Sequence, residues 1–289
     1  MLFRAKIFSA AVLCFPAFVP AIGYAAEVDT EHMFGFMIGS DVGEVGEREV
    51  QSKTTARLSK SGGTYQAISQ ALELELVPAK NFRVELGGTV AAYNINNVSG
   101  FSDARGFDFQ GGSAEFRYRF LDRETAPFGL TFGVELHADR IDENTAARVR
   151  AYGTEFVLAF DRELIPDRVV AAFNLLYQPE WTSLAIPGAL IQREATIGAA
   201  AALMLQVHSG VFIGGEARYL RQYDGIGLGN FSGDAVFIGP TAFVKLSERS
   251  RLTAAWSFQV SGSSTDIAGH LNLADFERHQ ARLVFGVNF

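Results

Sequence analysis

Charged side chains at every second position are the residues with the most evident chemistry in this sequence. In one segment Ser113, Glu115, Arg117 and Arg119 alternate with apolar and aromatic residues. Facing rows of Arg and Glu can line a narrow, weakly selective aqueous pore, or they can pair with one another and fill a closed interior. Both interpretations remain open at this point. The charged or imidazole positions expected to face such an interior are Glu73, Glu75, Arg83, Glu85, Glu115, Arg117, Arg119, Glu135, His137, Glu155, Glu216, Arg218, Arg251, Arg278 and Arg282.

His137 is the best candidate for a general base or a metal ligand, because Glu135 and Asp139 lie two positions away on either side. One imidazole with two carboxylates is a weak ligand set, so no metal or cofactor is predicted. Catalysis also needs a nucleophile, a base and an orienting group. His270 and His279 lie near several serines, but no catalytic motif accompanies them. The sequence therefore does not predict an enzyme, although a lipid-modifying activity remains an alternative.

Three further arginines, Arg150, Arg193 and Arg221, are expected on the opposite side of their segments, near the outer rim. A cation that faces hydrocarbon costs about 2–4 kcal/mol at the bilayer midplane and close to nothing at the interface. These side chains should therefore lie at headgroup level. They could bind the phosphates of lipopolysaccharide, or they could simply extend towards water.

The N-terminus has the features of an export signal. Arg4 and Lys6 precede an apolar run over 7–22, and the small residues at 23–25 suit cleavage by a signal peptidase. Residues 1–25 are thus predicted to be a signal peptide. Cys14, the one cysteine of the chain, would leave with it, which excludes disulfides and thiolate sites from the mature protein.

The net charge and hydropathy of the chain narrow its class further. The formal net charge is −7, and loss of the two cations Arg4 and Lys6 makes the mature chain still more acidic. This argues against nucleic acid as a partner. No second apolar run reaches the roughly 18 residues of a membrane-spanning helix.

The remaining sequence divides into segments with the two-residue period of β-strands. We count twelve, and ten or fourteen remain possible; the twelve lie near 48–58, 64–77, 81–94, 109–121, 127–140, 149–161, 168–181, 191–206, 211–223, 234–246, 250–263 and 277–289. A tilted strand needs about nine to eleven residues to cross a membrane, and each of these segments is at least that long. Short and long connectors alternate along the chain, as between periplasmic turns and external loops. The predicted fold is an all-β, transmembrane, antiparallel up-and-down β-barrel over 48–289.

The last nine residues indicate where this barrel resides. Ala281, Leu283, Phe285, Val287 and Phe289 fall on one apolar face of a strand, which suits a surface in contact with lipid. The terminal Phe also resembles the signal that barrel assembly machinery recognises in bacterial outer-membrane proteins. We therefore expect the bacterial outer membrane as the location, with outer-membrane lipid, lipopolysaccharide and the assembly machinery as partners. A soluble sandwich explains neither this face nor the alternation of the connectors.

Residues 26–47 precede the first strand, and their role is open. They are expected to form a periplasmic or lumenal segment. As an alternative, Met33–Ser40 could add an extra strand to the count.

Four stretches of the chain resemble known proteins. Residues 39–47 (GSDVGEVGE) resemble the start of proteobacterial outer-membrane barrels that are catalogued as transporters or under a phenol-degradation meta-pathway heading. Residues 121–135, 215–225 and 276–289 are similar to blocks of an uncharacterised alphaproteobacterial branch of these proteins. The resemblance implies a barrel that transports solutes and says little about chemistry.

The interpretation that we adopt is a passive outer-membrane pore or transporter for small solutes. Inward aromatic residues such as Tyr93 permit hydrophobic or aromatic solutes. A structural or surface-interaction barrel with a closed lumen is the main alternative. The sequence specifies neither the solute nor the oligomeric state.

Overall fold

A computed structural model describes residues 28–265 and 268–289. The predicted signal peptide lies outside these residues. Twelve β-strands follow one another, and their bounds are β1 Arg48–Leu58, β2 Thr64–Ala79, β3 Phe82–Asn96, β4 Ala104–Leu121, β5 Gly129–Ile141, β6 Arg148–Ile165, β7 Val169–Leu184, β8 Gln192–His208, β9 Val211–Asp224, β10 Asn230–Lys245, β11 Ser250–Ser264 and β12 His279–Asn288. The count of twelve predicted from the sequence is confirmed.

The strands form one closed antiparallel barrel in which each strand pairs with its neighbours in the chain. β1 closes the sheet by pairing with β12, from Glu49 opposite Asn288 to Leu58 opposite His279. Closure leaves no strand edge with unpaired backbone groups, which a hydrocarbon environment would penalise. No helix in the described part of the chain is long and apolar enough to cross a membrane.

The connections differ between the two ends of the barrel. At the end that we call the turn end, some connections are only two or three residues long, and Asn81, Asp167 and Gly210 have positive φ there, as is common in tight hairpin turns. The chain also ends at the turn end, where the Phe289 N–H donates a hydrogen bond to the Arg48 carbonyl at 3.0 Å. The opposite end, the loop end, carries the connections after β1, β3, β5, β7, β9 and β11.

Most strand bounds lie within three residues of their predicted positions. The largest differences are at β4, which begins at Ala104, at β10, which begins at Asn230, and at β6, which continues to Ile165. Glycine and polar residues at these strand ends obscure the alternating pattern, whereas ladder hydrogen bonds to the neighbouring strand continue through them.

The alternation of faces is as predicted. On β2, Glu73 and Glu75 are buried inside the barrel while Leu72 and Leu74 are exposed on its outer surface. On β12, Leu283 and Phe285 point outwards and Val284 points inwards. The outer surface is therefore apolar, and the core of this protein is the interior of the barrel.

Residues 28–42 lie inside the barrel at its turn end, and residues 28–47 form no strand. The alternative of an extra strand over Met33–Ser40 is therefore wrong. A segment from the loop end also folds inwards, since Asn272, Phe276 and Glu277 are buried. The barrel interior is thus occupied from both ends, and we refer to residues 28–42 as the plug.

Candidate functional site

The plug has an apolar side that packs against one half of the barrel wall. Val28, Met33, Phe34 and Met37 are buried against inward residues of β7–β10. These wall residues are Val170, Ala172, Ala200, Ala202, Met204, Phe212 and Phe243. Burial of an apolar side chain of this size contributes about 1.5–3 kcal/mol, so this contact stabilises the plug in the lumen.

Wall side chains supply the hydrogen bonds that an irregular buried backbone lacks. Glu216 on β9 accepts hydrogen bonds from the backbone N–H groups of Gly35 at 2.6 Å and Phe36 at 2.8 Å. Asn174 on β7 accepts from the Ile38 N–H and donates to the Ile38 carbonyl, both at 2.9 Å. Thr253 on β11 donates to the His32 carbonyl at 2.7 Å. The wall thereby fixes the path of the plug.

Asp161 on β6 anchors the plug nearer its attachment to β1. The Asp161 carboxylate accepts hydrogen bonds from the Ser40 N–H at 2.6 Å, the Ser40 hydroxyl at 2.7 Å and the Thr30 hydroxyl at 2.6 Å. Arg123, in the turn after β4, lies 2.6 Å from Asp41 and 3.4 Å from Asp161. Burial raises the pKa of Asp41 above its ordinary value, while Arg123 opposes this shift.

Phe36 sits between two guanidinium groups of the wall. The Arg218 and Arg282 guanidiniums lie 4.1 and 4.8 Å from the centre of the Phe36 ring, within the range of a cation–π interaction. Arg282 also donates to the Gly35 carbonyl at 3.0 Å. Two of the predicted inward arginines therefore bind the plug and do not line open water.

The opposite half of the wall carries a continuous row of glutamates, which we call the glutamate arc. Successive strands β1 to β6 place one glutamate directly opposite the next. Like charges in such cross-strand positions are destabilising unless cations separate them. The members of the arc are Glu49, Glu75, Glu85, Glu115, Glu135 and Glu155.

Arginines inside the barrel hold the first four members of the glutamate arc. Arg83 is 1% exposed and lies 3.2 Å from Glu75, 3.4 Å from Glu85 and 3.8 Å from Glu115. Arg117 forms two hydrogen bonds with Glu115, at 2.6 and 2.8 Å. Arg83 also binds Glu31 of the plug at 2.6 Å. This ion-pair network therefore includes a carboxylate of the plug as well as those of the wall.

Arg251 on β11 forms a two-pronged ion pair with Glu49. His32 of the plug faces the same carboxylates, with its Nε2 atom 3.5 Å from Glu31, 3.7 Å from Glu75 and 4.0 Å from Glu49. Burial, together with the positive charge of Arg251, lowers the pKa of His32 well below its ordinary value. His32 is therefore neutral at pH 7.

The structure places most of the predicted inward set in the barrel interior. Arg278 differs, because it precedes β12 and is exposed, while its neighbour Glu277 is buried. The buried members are Glu73, Glu75, Arg83, Glu85, Glu115, Arg117, Glu216, Arg218 and Arg251. The half-buried members are Arg119, Glu135, His137, Glu155 and Arg282.

His137 lies between carboxylates, as the sequence suggested. Its Nδ1 atom is 3.9 Å from Glu135 and its Nε2 atom is 3.8 Å from Glu180 of β7. Two carboxylates, of Glu135 on β5 and Glu180 on β7, thus lie near one imidazole. Neither Glu135 nor Glu180 forms a hydrogen bond with the His137 ring at these distances.

The three outward arginines lie towards the loop end of their strands. Arg150 and Arg193 are exposed. The Arg221 guanidinium rests on the ring of Phe231, 4.5 Å from its centre, and lies 5.4 Å from the centre of Tyr223. This surface thus combines cations with aromatic rings, a composition found at membrane interfaces.

The interior near the loop end is apolar on one side and closed by loop residues. Tyr65 and Tyr93 pack with Ile95, Val98 and Ile141 in a buried cluster. The Lys60 ammonium reaches across the mouth and donates to the carbonyls of residues 274 and 275 at 3.0 and 2.9 Å. Burial lowers the pKa of Lys60 to about 8, although Glu277 and Asp275 oppose the shift.

The sequence reasoning did not identify the plug as the partner of the inward residues. One signal was present, because β8 is apolar on both faces over its central residues: Leu203 and Leu205 point outwards while Ala200, Ala202 and Met204 point inwards. An inward apolar face in a barrel requires an apolar partner within the lumen. The plug is that partner.

Comparisons with known proteins agree with this architecture. A family model described as "Family of unknown function (DUF6662)" matches residues 26–289. A search of the curated proteins finds no match. The crystal structure of the COG4313 outer membrane channel from Pseudomonas putida F1 is similar with a TM-score of 0.59 at 13% identity, over 91% of this chain and 100% of that one.

Two porin structures are also similar over most of both chains. The NanC porin gives a TM-score of 0.47 at 10% identity, over 84% of this chain and 100% of that one. The KdgM porin, in complex with disordered oligogalacturonate, gives a TM-score of 0.44 at 9% identity, over 83% of this chain and 99% of that one. At such identities the likeness concerns the fold alone.

Proposed function

The chain belongs to the family of unknown function DUF6662, and we propose that it is an outer-membrane channel for small solutes that its own plug holds closed. The observation that carries the proposal is the mode of attachment of the plug. Residues 28–42 join the wall through side-chain hydrogen bonds, ion pairs and apolar packing, and among the residues that the structure describes their covalent connection is to β1. A segment held in this way can leave the lumen while the barrel stays intact.

The outer membrane as the location is part of this proposal. Its support is the apolar outer surface, on which Leu86, Phe116, Leu203 and Phe285 are exposed. A closed sheet with this surface satisfies its own backbone hydrogen bonds and is stable in lipid. Lipopolysaccharide at Arg150, Arg193 and Arg221, and assembly machinery at Phe289, belong to the same proposal as partners.

The two halves of the wall indicate the class of solute. When the plug leaves, the lumen is bounded by the glutamate arc on β1–β6 and by the inward face of β7–β10, which is apolar apart from residues such as Asn174, Glu216 and Arg218. Rows of carboxylates favour cations, and the apolar half favours solutes with an aromatic or aliphatic part. We therefore propose small solutes that combine an apolar group with a positive charge, which include the aromatic solutes that inward residues such as Tyr93 permit.

A structural barrel with a closed lumen is the competing function, and one observation favours it. The inward ion pairs of Arg83, Arg117 and Arg251 are buried, as in a network that fills an interior. Breaking such pairs is costly. A channel must instead open by moving the plug and leaving the wall pairs in place.

Conductance in planar lipid bilayers separates the two functions. We expect wild-type protein to show brief or small channels, and a variant in which residues 28–41 are replaced by a Gly/Ser segment of equal length to show larger, long-lived channels. A replacement variant that folds but does not conduct would support the structural barrel. Equal conductance in both proteins would show that the plug does not close the channel.

A further inference from the structure

The strongest unexplained group of side chains lies where the plug meets the first end of the glutamate arc. Glu31 and His32 of the plug face Glu75 of β2. The His32 Nε2 atom is 3.5 Å from Glu31 Oε2 and 3.7 Å from Glu75 Oε1, and the ligand atoms of the three residues all lie within 4.8 Å of one another. Channel closure by the plug does not account for this convergence.

Two of the three side chains are buried without hydrogen bonds. The His32 side chain is 9% exposed, and its ring nitrogens have no hydrogen-bond partner among residues 28–265 and 268–289. Glu75 is 1% exposed and accepts no hydrogen bond from the same residues. Its Oε2 atom is fully buried without a hydrogen bond and lies 3.2 Å from Arg83, while its Oε1 atom lies 3.7 Å from His32. An imidazole and a carboxylate with so little exposure usually have a hydrogen-bond partner.

The distances suit a shared ion better than hydrogen bonds. An imidazole N–H donates to a carboxylate at about 2.7–2.9 Å, and both separations here exceed this range. Nitrogen and oxygen ligands lie about 2.0–2.2 Å from a zinc ion. Two such ligands in a tetrahedral site are then about 3.3–3.6 Å apart, close to the distances from His32 to Glu31 and Glu75.

The arginines leave the required atoms free. Arg83 binds Glu31 through Oε1 at 2.6 Å, so Oε2 remains available. Arg251 occupies both oxygens of Glu49, which excludes Glu49 from the ligand set and orients it beside the site. Hydrogen bonds of this kind to neighbouring groups position metal ligands in known sites.

We propose that Glu31, His32 and Glu75 bind one divalent transition-metal ion, of the Zn²⁺ type, which ties the plug to β2. An imidazole in the set selects Zn²⁺ over Mg²⁺ or Ca²⁺. The His32 Nε2 atom lies nearest to the free oxygens of Glu31 and Glu75 and is the imidazole atom that would bind the ion. Other ligand positions are left to water, because the structure offers no further donor from this group.

Metal binding by the full-length mature protein in detergent tests the proposal. The protein is treated with a chelator, dialysed against Zn²⁺ in the presence of excess Mg²⁺, and analysed for bound zinc by mass spectrometry. We expect one Zn²⁺ per chain. His32→Gln and Glu75→Gln should each weaken binding at least about tenfold, whereas His137→Gln, at the other imidazole between carboxylates, should leave it unchanged.

Each other outcome overturns the proposal. Less than one Zn²⁺ per wild-type chain would mean that the three side chains do not form a metal site, and equal binding by all four proteins would place the ion elsewhere. Because a variant that fails to fold gives no information, Co²⁺ is also added to wild-type protein; visible bands of four- or five-coordinate cobalt are expected, and a spectrum of hydrated cobalt contradicts the site. None of these measurements involves conductance, so their results test the metal site independently of channel function.

Discussion

Asp161 accepts hydrogen bonds from both the backbone N–H and the hydroxyl of Ser40, which precedes it by 121 residues in the chain. This relationship joins β6, near the turn end of the strand, to the plug. Both partners are buried, so water does not replace the bonds when one partner is removed.

Replacement of Asp161 by Ala should release the plug. The change leaves the Ser40 N–H and the Ser40 hydroxyl without their acceptor, and each buried unsatisfied group costs about 1–3 kcal/mol. We expect the open fraction in bilayer recordings to rise roughly tenfold or more, since about 1.4 kcal/mol corresponds to a factor of ten. Asp234→Asn, near the loop end, is the matched control and should behave as wild type.

Gly35→Ala should act by steric overlap. A Cβ atom at Gly35 would overlap the Cβ atom of Ala255 on β11, so the plug must shift away from the wall. We expect increased conductance and faster proteolysis of the plug. The double variant Gly35→Ala/Ala255→Gly removes the overlapping atom and should restore closure; failure of this rescue would show that the glycine acts in another way.

The glutamate arc should confer cation preference on the open channel. Glu135→Gln/Glu155→Gln, introduced into the variant without the plug, removes two carboxylates that stand directly opposite each other. The reversal potential in a KCl gradient should then move towards zero. An unchanged reversal potential would place the selective constriction at another level of the lumen.

The outward arginines provide a test of lipid contact. Arg150, Arg193 and Arg221 changed together to Glu should slow folding into bilayers that contain lipopolysaccharide, because like charges then meet its phosphates. Folding into bilayers of neutral lipid should be nearly unaffected. Equal folding rates of wild type and triple variant in both bilayers would eliminate a specific role.

Lys60 should titrate near pH 8, because burial lowers its pKa from the ordinary 10.5 to about 8. The folded state therefore holds fewer protons than the unfolded state between these values, and its stability should rise with pH across pH 8–10.5. The ¹³C shifts of reductively methylated protein measure the pKa directly. Lys60→Met should remove the pH dependence of unfolding in this window, while Lys80→Met, at an exposed position, should retain it. A Lys60 resonance that titrates near 10.5 would contradict the assignment.

Strand number, faces and topology could be predicted from the sequence because each strand has its own local pattern of alternating residues. Alternation along residues such as 82–93 depends only on the two-residue period of a strand between lipid and lumen. The plug could not be predicted in this way. Its path depends on Asp161, Asn174 and Glu216, which lie more than one hundred residues away in the chain.

The glutamate arc shows how much of the candidate site could be predicted from the sequence. Each of Glu75, Glu85 and Glu115 was predicted to face inwards, and each does. Whether they meet depends on the stagger between neighbouring strands, which the alternating pattern does not encode. If the three carboxylates lay at different heights along the barrel axis, they would not be neighbours and would form no continuous row.

The attachment of the plug to β1 has a kinetic consequence. Only residues 43–47 separate Val42, which is buried in the lumen, from the first residue of β1. A released plug therefore stays tethered at the mouth. A short flexible linker of this kind gives the plug an effective concentration at its binding site in roughly the millimolar range. Reclosure is unimolecular, independent of protein abundance in the membrane, and difficult for a dissolved copy of the same peptide to prevent.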